Sequence, residues 1–268
     1  MTTVTFLSDY GYVDDFVGVC HGVIAGICPD ARVIDVTHGV PRHQVRPGAL
    51  ILRNALRFMP PGVHLAVVDP EVGAERRAVA LRTAQEDRLL VGPDNGLLSL
   101  AAERFGGAVE AVDISRSPWR LEPVSATFHG RDIFAPVAAR LAAGEALAEA
   151  GDPCETSTLK RLELPRPQVE DGAVTAHALT VDRFGNVMLD ATHEDLAGSG
   201  LRLGRPLEIE IGPQRFTAWF AVTFADVRDG ELLVYEDAFD QLAIAVNRGN
   251  AAALLGLAPD AELRITST

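Results

Sequence analysis

The chain is poor in several things. Three cysteines, Cys20, Cys28 and Cys154, form no CxxC pair and are odd in number, so neither a disulfide framework nor a cysteine-based zinc site is indicated. They are expected to be buried thiols. Lysine occurs once, as Lys160, and the formal net charge is −13. A field of that sign repels nucleic-acid phosphates and argues against a nucleic-acid partner. No apolar stretch approaches the roughly 18 residues that span a bilayer. The N-terminal "MTTVTFLSDYG" has neither basic flank nor cleavage signal, so a cytoplasmic location without membrane association is expected. Also missing are HExxH, an EF-hand loop and, after the first strand, a GxGxxG turn. A metal reading that recruits His38 and His43 has no ligand spacing behind it, and no metal is expected. A dinucleotide-type phosphate nest is likewise unsupported.

What is present is apolar material: 47% of the 268 residues are hydrophobic and 23% charged, enough for one large or two modest domains. Before residue 165, β-branched runs alternate with helical patterns. "VTFL" at 4–7, a helix over 14–27, "RVIDVT" at 32–37, a helix over 48–58 and "VHLAVV" at 63–68 predict an α/β domain with a mostly parallel sheet. A hairpin around Gln85–Asp87, a helix over 97–105, the strand "VEAVDI" and a helix over 131–143 complete this half.

The stretch "LELPRPQVEDG" has two prolines and no periodicity and reads as a linker. The domains are accordingly placed at 1–165 and 173–268, with 166–172 between them. Seven short alternating runs follow, from "AVTAHALTVD" to "ELRITS", with only "NAAALLGL" helical in pattern. They predict a smaller all-β barrel or sandwich.

In an open α/β sheet, ligands bind beyond the carboxyl ends of the strands. Asp9, Asp69 and Asp94 each follow a predicted strand and so face that crevice. Asp14 and Asp15 open the first helix, where capping is the plain explanation for Asp15 and an equal one for Asp14. Asp14 stays among the binding candidates. Converging carboxylates require a metal, a cationic ligand or hydroxyl donors such as a ribose diol.

Seven motifs in order, "FLSDYG", "VIDVTHGV", "VVDPEVGAERRAV", "VGPDNGLL", "TFHGRDIFAP", "DRFGNV" and "AVNRGNAA", span nearly the whole chain. Together they resemble the S-adenosyl-L-methionine hydrolase (adenosine-forming) or hydroxide adenosyltransferase family, related to the fluorinase and chlorinase. The resemblance implies attack of water, as hydroxide, on the 5′ carbon of S-adenosylmethionine, giving adenosine and methionine without a cofactor. It carries the functional trio onto Asp69, Arg76 and His129. Arginine stays protonated, which leaves Asp69 and His129 as the two possible bases. A histidine that merely caps the following helix is the alternative at 129.

By the same resemblance, Asp9 binds the ribose hydroxyls and Asp182 and Asn186 contact the methionine and the adenine edge. Asn250 and Ala251 offer backbone contacts to the purine. Independently of the resemblance, Phe128 or Tyr235 would add an apolar wall, an ordinary core role being an equal account of either. A tight hairpin turn is the competing account of Asp182 and Asn186. The family implies a homotrimer whose active sites join the N-terminal domain of one subunit to the C-terminal domain of its neighbour. One position departs: Glu71 stands where the family usually has glycine, and a positive φ there would strain the loop carrying Arg76. Two alternatives accompany the hydrolase, a halogenase of the same fold and a non-catalytic sensor of S-adenosylmethionine or adenosine. His129 speaks against the first, since the fluorinase lacks histidine at this position, and the intact trio against the second.

Overall fold

The structure, a computed structural model, describes residues 3–268. The chain divides into two compact units, 1–162 and 163–268.

In the first unit, β1 (Thr3–Ser8), β2 (Arg32–Thr37), β3 (Val63–Val67), β4 (Ala78–Thr83), β5 (Leu89–Pro93), β6 (Ala108–Asp113) and the two-residue β7 (Asp152–Pro153) form one sheet in the order β2-β1-β3-β5-β4-β6-β7. Strands β2, β1, β3 and β5 are parallel, and the expected hairpin makes β4 antiparallel to β5, with β6 and β7 following suit. The turn is tight because Glu86 and Asp87 both adopt positive φ. Strand β3 is buried at every position, as suits a strand covered on both faces.

Helices α1 (Phe16–Ile27) and α4 (Ala135–Ala142) pack on each other and on Val4, Phe6, Leu65 and Val67 of one sheet face. Helix α1 does so through Val17, Cys20 and Ile24, the i, i+3, i+4 stripe of its sequence. Helices α2 (Val45–Leu56) and α3 (Ser99–Arg104) pack against one another on the other face. The helix expected over 131–143 begins instead as a π-type turn, Gly130–Phe134, in which Ala135 N–H donates to Gly130 O. Cys20 and Cys28 are buried as expected, and burial pushes the Cys20 thiol up to about 12. Cys154 is only partly covered, because it follows the short edge strand β7.

In the second unit, β9 (Ala173–Val181), β10 (Val187–Leu189), β11 (Pro206–Ile211), β12 (Gln214–Phe220), β13 (Leu232–Glu236), β14 (Leu242–Val246) and β15 (Glu262–Ser267) close into a seven-stranded barrel. Pairing of β9 with β10 completes the ring. Val174, Ala176 and Ala178 of β9 alternate into a core shared with Leu207, Ile209, Ile244 and Ile265. Part of the segment read as linker is structured: β8 (Gln168–Glu170) pairs with β9, its ladder set by a neighbouring strand rather than by local periodicity. Helix α6 (Ala251–Leu255) is the helix expected in "NAAALLGL". Helix α5 (His193–Gly198) escaped the periodicity reading. Its signal is the capping box, in which Thr192 Oγ1 accepts from Asp195 N–H and Asp195 Oδ2 accepts from Thr192 N–H. Among the described residues no helix is long and apolar enough to cross a membrane.

Candidate active site

The loops leaving β1, β2 and β3 and the segment before the π-type turn surround a crevice of about 350 Å³. Asp9, Asp14, His43, Asp69 and His129 line it, with Tyr10, Phe16, Arg42 and Thr127. It lies beyond the carboxyl ends of the parallel strands, where the topology leads one to look.

The loop after β1 is fixed from two sides. Gly11 N–H donates to His38 O at 2.7 Å, and His43 N–H donates to Asp9 Oδ2 at 3.0 Å. Asp14 lies one residue before Asp15, the N-cap position of α1, and Asp15 makes no side-chain cap. Asp94, also placed at a strand end by the sequence, is not in the crevice. It is buried against Arg77, which donates from Nε at 2.9 Å and Nη2 at 2.6 Å, and it accepts from Lys160 N–H at 2.8 Å. Its role is to order that loop.

Asp69, Arg76 and His129 form a chain. Arg76 Nε–H donates to both carboxylate oxygens of Asp69, at 3.0 and 2.9 Å, and Nη2 also contacts Oδ2. Nη2 donates in addition to His129 Nδ1 at 2.8 Å. The guanidinium is buried, with its carbon 5.2 Å from the centre of the Phe134 ring. Because arginine only donates, Nδ1 must be an acceptor, and the neutral imidazole then carries its proton on Nε2. Desolvation first, and the Arg76 charge second, hold His129 below the ordinary histidine range. Capping does not explain this residue: it starts the π-type turn without a side-chain cap.

Two glycines let the loops meet. Gly73 has φ +82°, and a Cβ there would lie 2.6 Å from Ala126 O, so the Arg76 loop approaches the His129 loop backbone to backbone. At Gly130 a Cβ would lie 2.1 Å from the Tyr10 hydroxyl. Tyr10 is thereby set beside the crevice, edge-on to Phe128, and burial raises its hydroxyl well above the usual range. Tyr10 was not singled out from the sequence, although it sits inside "SDYG". Buried Asp132 accepts from Ser125 N–H at 2.8 Å and pins the His129 loop to the turn. Glu71 is not among the residues with positive φ and contacts Lys160 Nζ at 3.8 Å. The strain expected at this departure is therefore absent, since the left-handed position of the loop belongs to Gly73.

The second unit gathers the remaining candidates. Asp182 Oδ1 accepts from Phe184 and Asn186 N–H at 2.8 and 2.9 Å, and Oδ2 accepts from Asn186 Nδ2 at 2.8 Å. Ala252 N–H donates to Gly185 O, bringing "RGNAA" against this turn. Asn250 Oδ1 accepts from Ala253 N–H at 2.7 Å and caps α6, while Ala251 is buried. Tyr235, pushed up to about 12 by burial and then by Asp182 and Asp237, belongs to the same cluster.

Two family models match in tandem: the SAM hydroxide adenosyltransferase N-terminal domain over residues 4–151 and the C-terminal domain over 176–264. The chain belongs to the SAM hydroxide adenosyltransferase family. Among its relatives is the (R)-S-adenosyl-L-methionine hydrolase of Salinispora tropica, 53% identical over 98% of this chain and 97% of that protein. A fluorinase of an Actinoplanes species is a more distant relative, 30% identical over 91% of this chain and 90% of its own. The crystal structure of an uncharacterized conserved protein from Thermotoga maritima superimposes with a TM-score of 0.91 at 37% identity, covering 98% of this chain and 99% of that one. For a hydroxide adenosyltransferase chain, the α/β unit and the seven-stranded barrel are thus the family's two domains.

Proposed function

We propose that the protein hydrolyses (R)-S-adenosyl-L-methionine to adenosine and L-methionine by attack of water on the 5′ carbon. The hydrogen-bonded trio Asp69–Arg76–His129 on the crevice carries this reading, with support from the hydrolase relative at 53% identity. A sulfonium leaves readily, so no cofactor is needed and the enzyme has mainly to position and activate a poor nucleophile. Free water, with a pKa of about 15.7, needs a base as the bond forms.

The hydrogen-bond pattern divides the labour. His129 is neutral, with Nδ1 occupied by Arg76, so its Nε2–H donates to the water oxygen and orients it. Asp69 is the remaining base and takes the proton. Arg76 supports the oxygen as it becomes hydroxide-like and balances the carboxylate. Asp9 accepts from the ribose diol, with Asp14 beside it on the crevice wall. Asp182 and Asn186 address the methionine and the adenine edge, and the Asn250–Ala251 backbone addresses the purine. The first set lies in one unit and the second in the other, in keeping with a homotrimer in which neighbouring subunits each supply one set. Tyr12 and Val13, exposed at 68% and 98% in the segment between Asp9 and Asp14, give that assembly an apolar surface to cover.

Chromatography of the protein incubated with S-adenosylmethionine, with and without chloride, tests the reading. Adenosine and methionine are expected in both buffers, with a fall of about 10²–10⁴-fold in His129→Ala. A chlorinated nucleoside formed only with chloride would identify a halogenase. Binding without product would identify a sensor.

A further inference from the structure

Outside the trio, three side chains converge behind the loop that follows β1. Asp35 on β2 stands between His21 of α1 and His38 just past the end of β2. Asp35 Oδ1 is 2.8 Å from His21 Nε2 and 3.1 Å from His38 Nε2, and one ligand atom from each residue lies within 4.8 Å of the others. We propose that His21, Asp35 and His38 form a binding site for a divalent transition-metal ion of the zinc, iron or cobalt type.

The state of His38 points to a ligand. The residue is fully buried, and its Nε2, although 3.1 Å from Asp35 Oδ1, makes no well-aligned hydrogen bond. Such an atom is costly unless something accepts its lone pair or its proton. The other nitrogen is spoken for: Nδ1 is 2.6 Å from Ser8 Oγ, which also accepts from Tyr10 N–H at 3.2 Å. A proton on Nδ1, donated to Ser8, leaves the Nε2 lone pair directed at Asp35 and His21. This is the outer-shell arrangement that orients a metal-ligating imidazole.

The spacings suit an ion. Ligands about 2.1 Å from a six-coordinate metal lie about 3.0 Å from their neighbours, close to the separations around Asp35 Oδ1. Two imidazoles and a carboxylate with open positions suit first-row divalent metals better than calcium or magnesium, which prefer all-oxygen shells. Phe6 and Tyr12 stand edge-on to the His38 ring at 4.6 and 5.1 Å and wall off one side, while His21, 35% exposed, leaves a way in.

The sequence singled out His38 but paired it with His43, which lies instead on the crevice. His21 comes from a helix and Asp35 from a strand 14 positions further on, while His38 follows Asp35 by three. An ion here would tie α1 and β2 to the Asp9 loop, through Ser8 and through the bond from Gly11 N–H to His38 O.

The test is titration of chelator-treated full-length protein with Co²⁺, followed by visible absorption and calorimetry, with Zn²⁺ as competitor. One equivalent per chain is expected, with absorption bands lost on adding Zn²⁺ and a rise in Tm on loading. His21→Ala, at a partly exposed helical position where alanine is well tolerated, should weaken binding by at least about 10–100-fold, the loss typical of an outer-shell defect alone. Asp35→Asn, which preserves shape, should behave alike, and Ser8→Ala should weaken binding while keeping all three ligands. Circular dichroism verifies that each variant is folded. No saturable uptake by the native chain, or equal uptake in His21→Ala and Asp35→Asn, would overturn the proposal.

Discussion

Arg76 holds two residues at once, and the consequence is measurable at His129. A proton on Nδ1 would break the bond from Arg76 and set two cations side by side, so the neutral ring persists below the ordinary value of 6.5. The kcat/KM profile should therefore rise along an acid limb centred below 6.5 and be level before neutrality. In an NMR titration, Arg76→Gln should move the His129 midpoint upward, since it removes the positive neighbour; an unchanged midpoint would leave desolvation as the whole cause. Glu71→Gly should alter kcat/KM by less than about 2-fold, in line with exposed substitutions away from special backbone geometry. A large loss would give Glu71 a role of its own. Asp69, Arg76 and His129 were all legible as residues through the motifs that carry them. Which nitrogen of His129 is free was not, because it depends on a donor 53 positions away in the chain.

Between elements, packing rather than propensity fixes the geometry. Gly130 faces the Tyr10 hydroxyl, so Gly130→Ala should displace either the π-type turn or the β1 loop and lower activity steeply. Tyr10→Phe in the same chain removes the nearest clashing atom and should restore part of the loss. No recovery in the double variant would mean that the ring, not the hydroxyl, sets the limit. A second consequence concerns β1 and β3, where Thr5 Oγ1 lies 2.9 Å from buried His64 Nδ1 and Arg88 Nη1 donates to Nε2 at 3.1 Å. Desolvation and then Arg88 depress His64 from 6.5 to about 3. Between those values the unfolded chain binds a proton that the folded chain refuses, so stability falls as pH drops from 6.5 towards 3. The slope from this group is about 1.4 kcal/mol per pH unit. Denaturant unfolding of His64→Gln should show a slope shallower by that amount between about pH 5.5 and pH 4, where the unfolded histidine is protonated and the folded one is not, whatever its stability at neutrality. Helix α5 and strand β8 show why some elements escaped the sequence: α5 has six residues, too few to display a 3.6-residue period, and β8 is a strand only because β9 lies beside it.

At the scale of the assembly, the homotrimer proposal makes a sharp prediction. Co-expression of Asp69→Asn chains with Asp182→Ala chains, each inactive alone, should regenerate intact sites wherever a chain with native Asp69 meets a neighbour with native Asp182. Roughly a quarter of the interfaces in a random trimer qualify, and activity should approach that fraction of native. Inactive mixed trimers would place both sets in one chain.

The sequence alone determined the two architectures and, through its motifs, the family, because strand and helix periods are local and the motifs are contiguous. Only the tertiary structure decided that Gly73, not Glu71, takes the positive φ, that Asp94 is bound by Arg77, and that His21, Asp35 and His38 meet. Those outcomes are set by the close approach of separate loops and strands, Gly73 to Ala126, Arg77 to Asp94 and His21 to Asp35, which no linear pattern encodes.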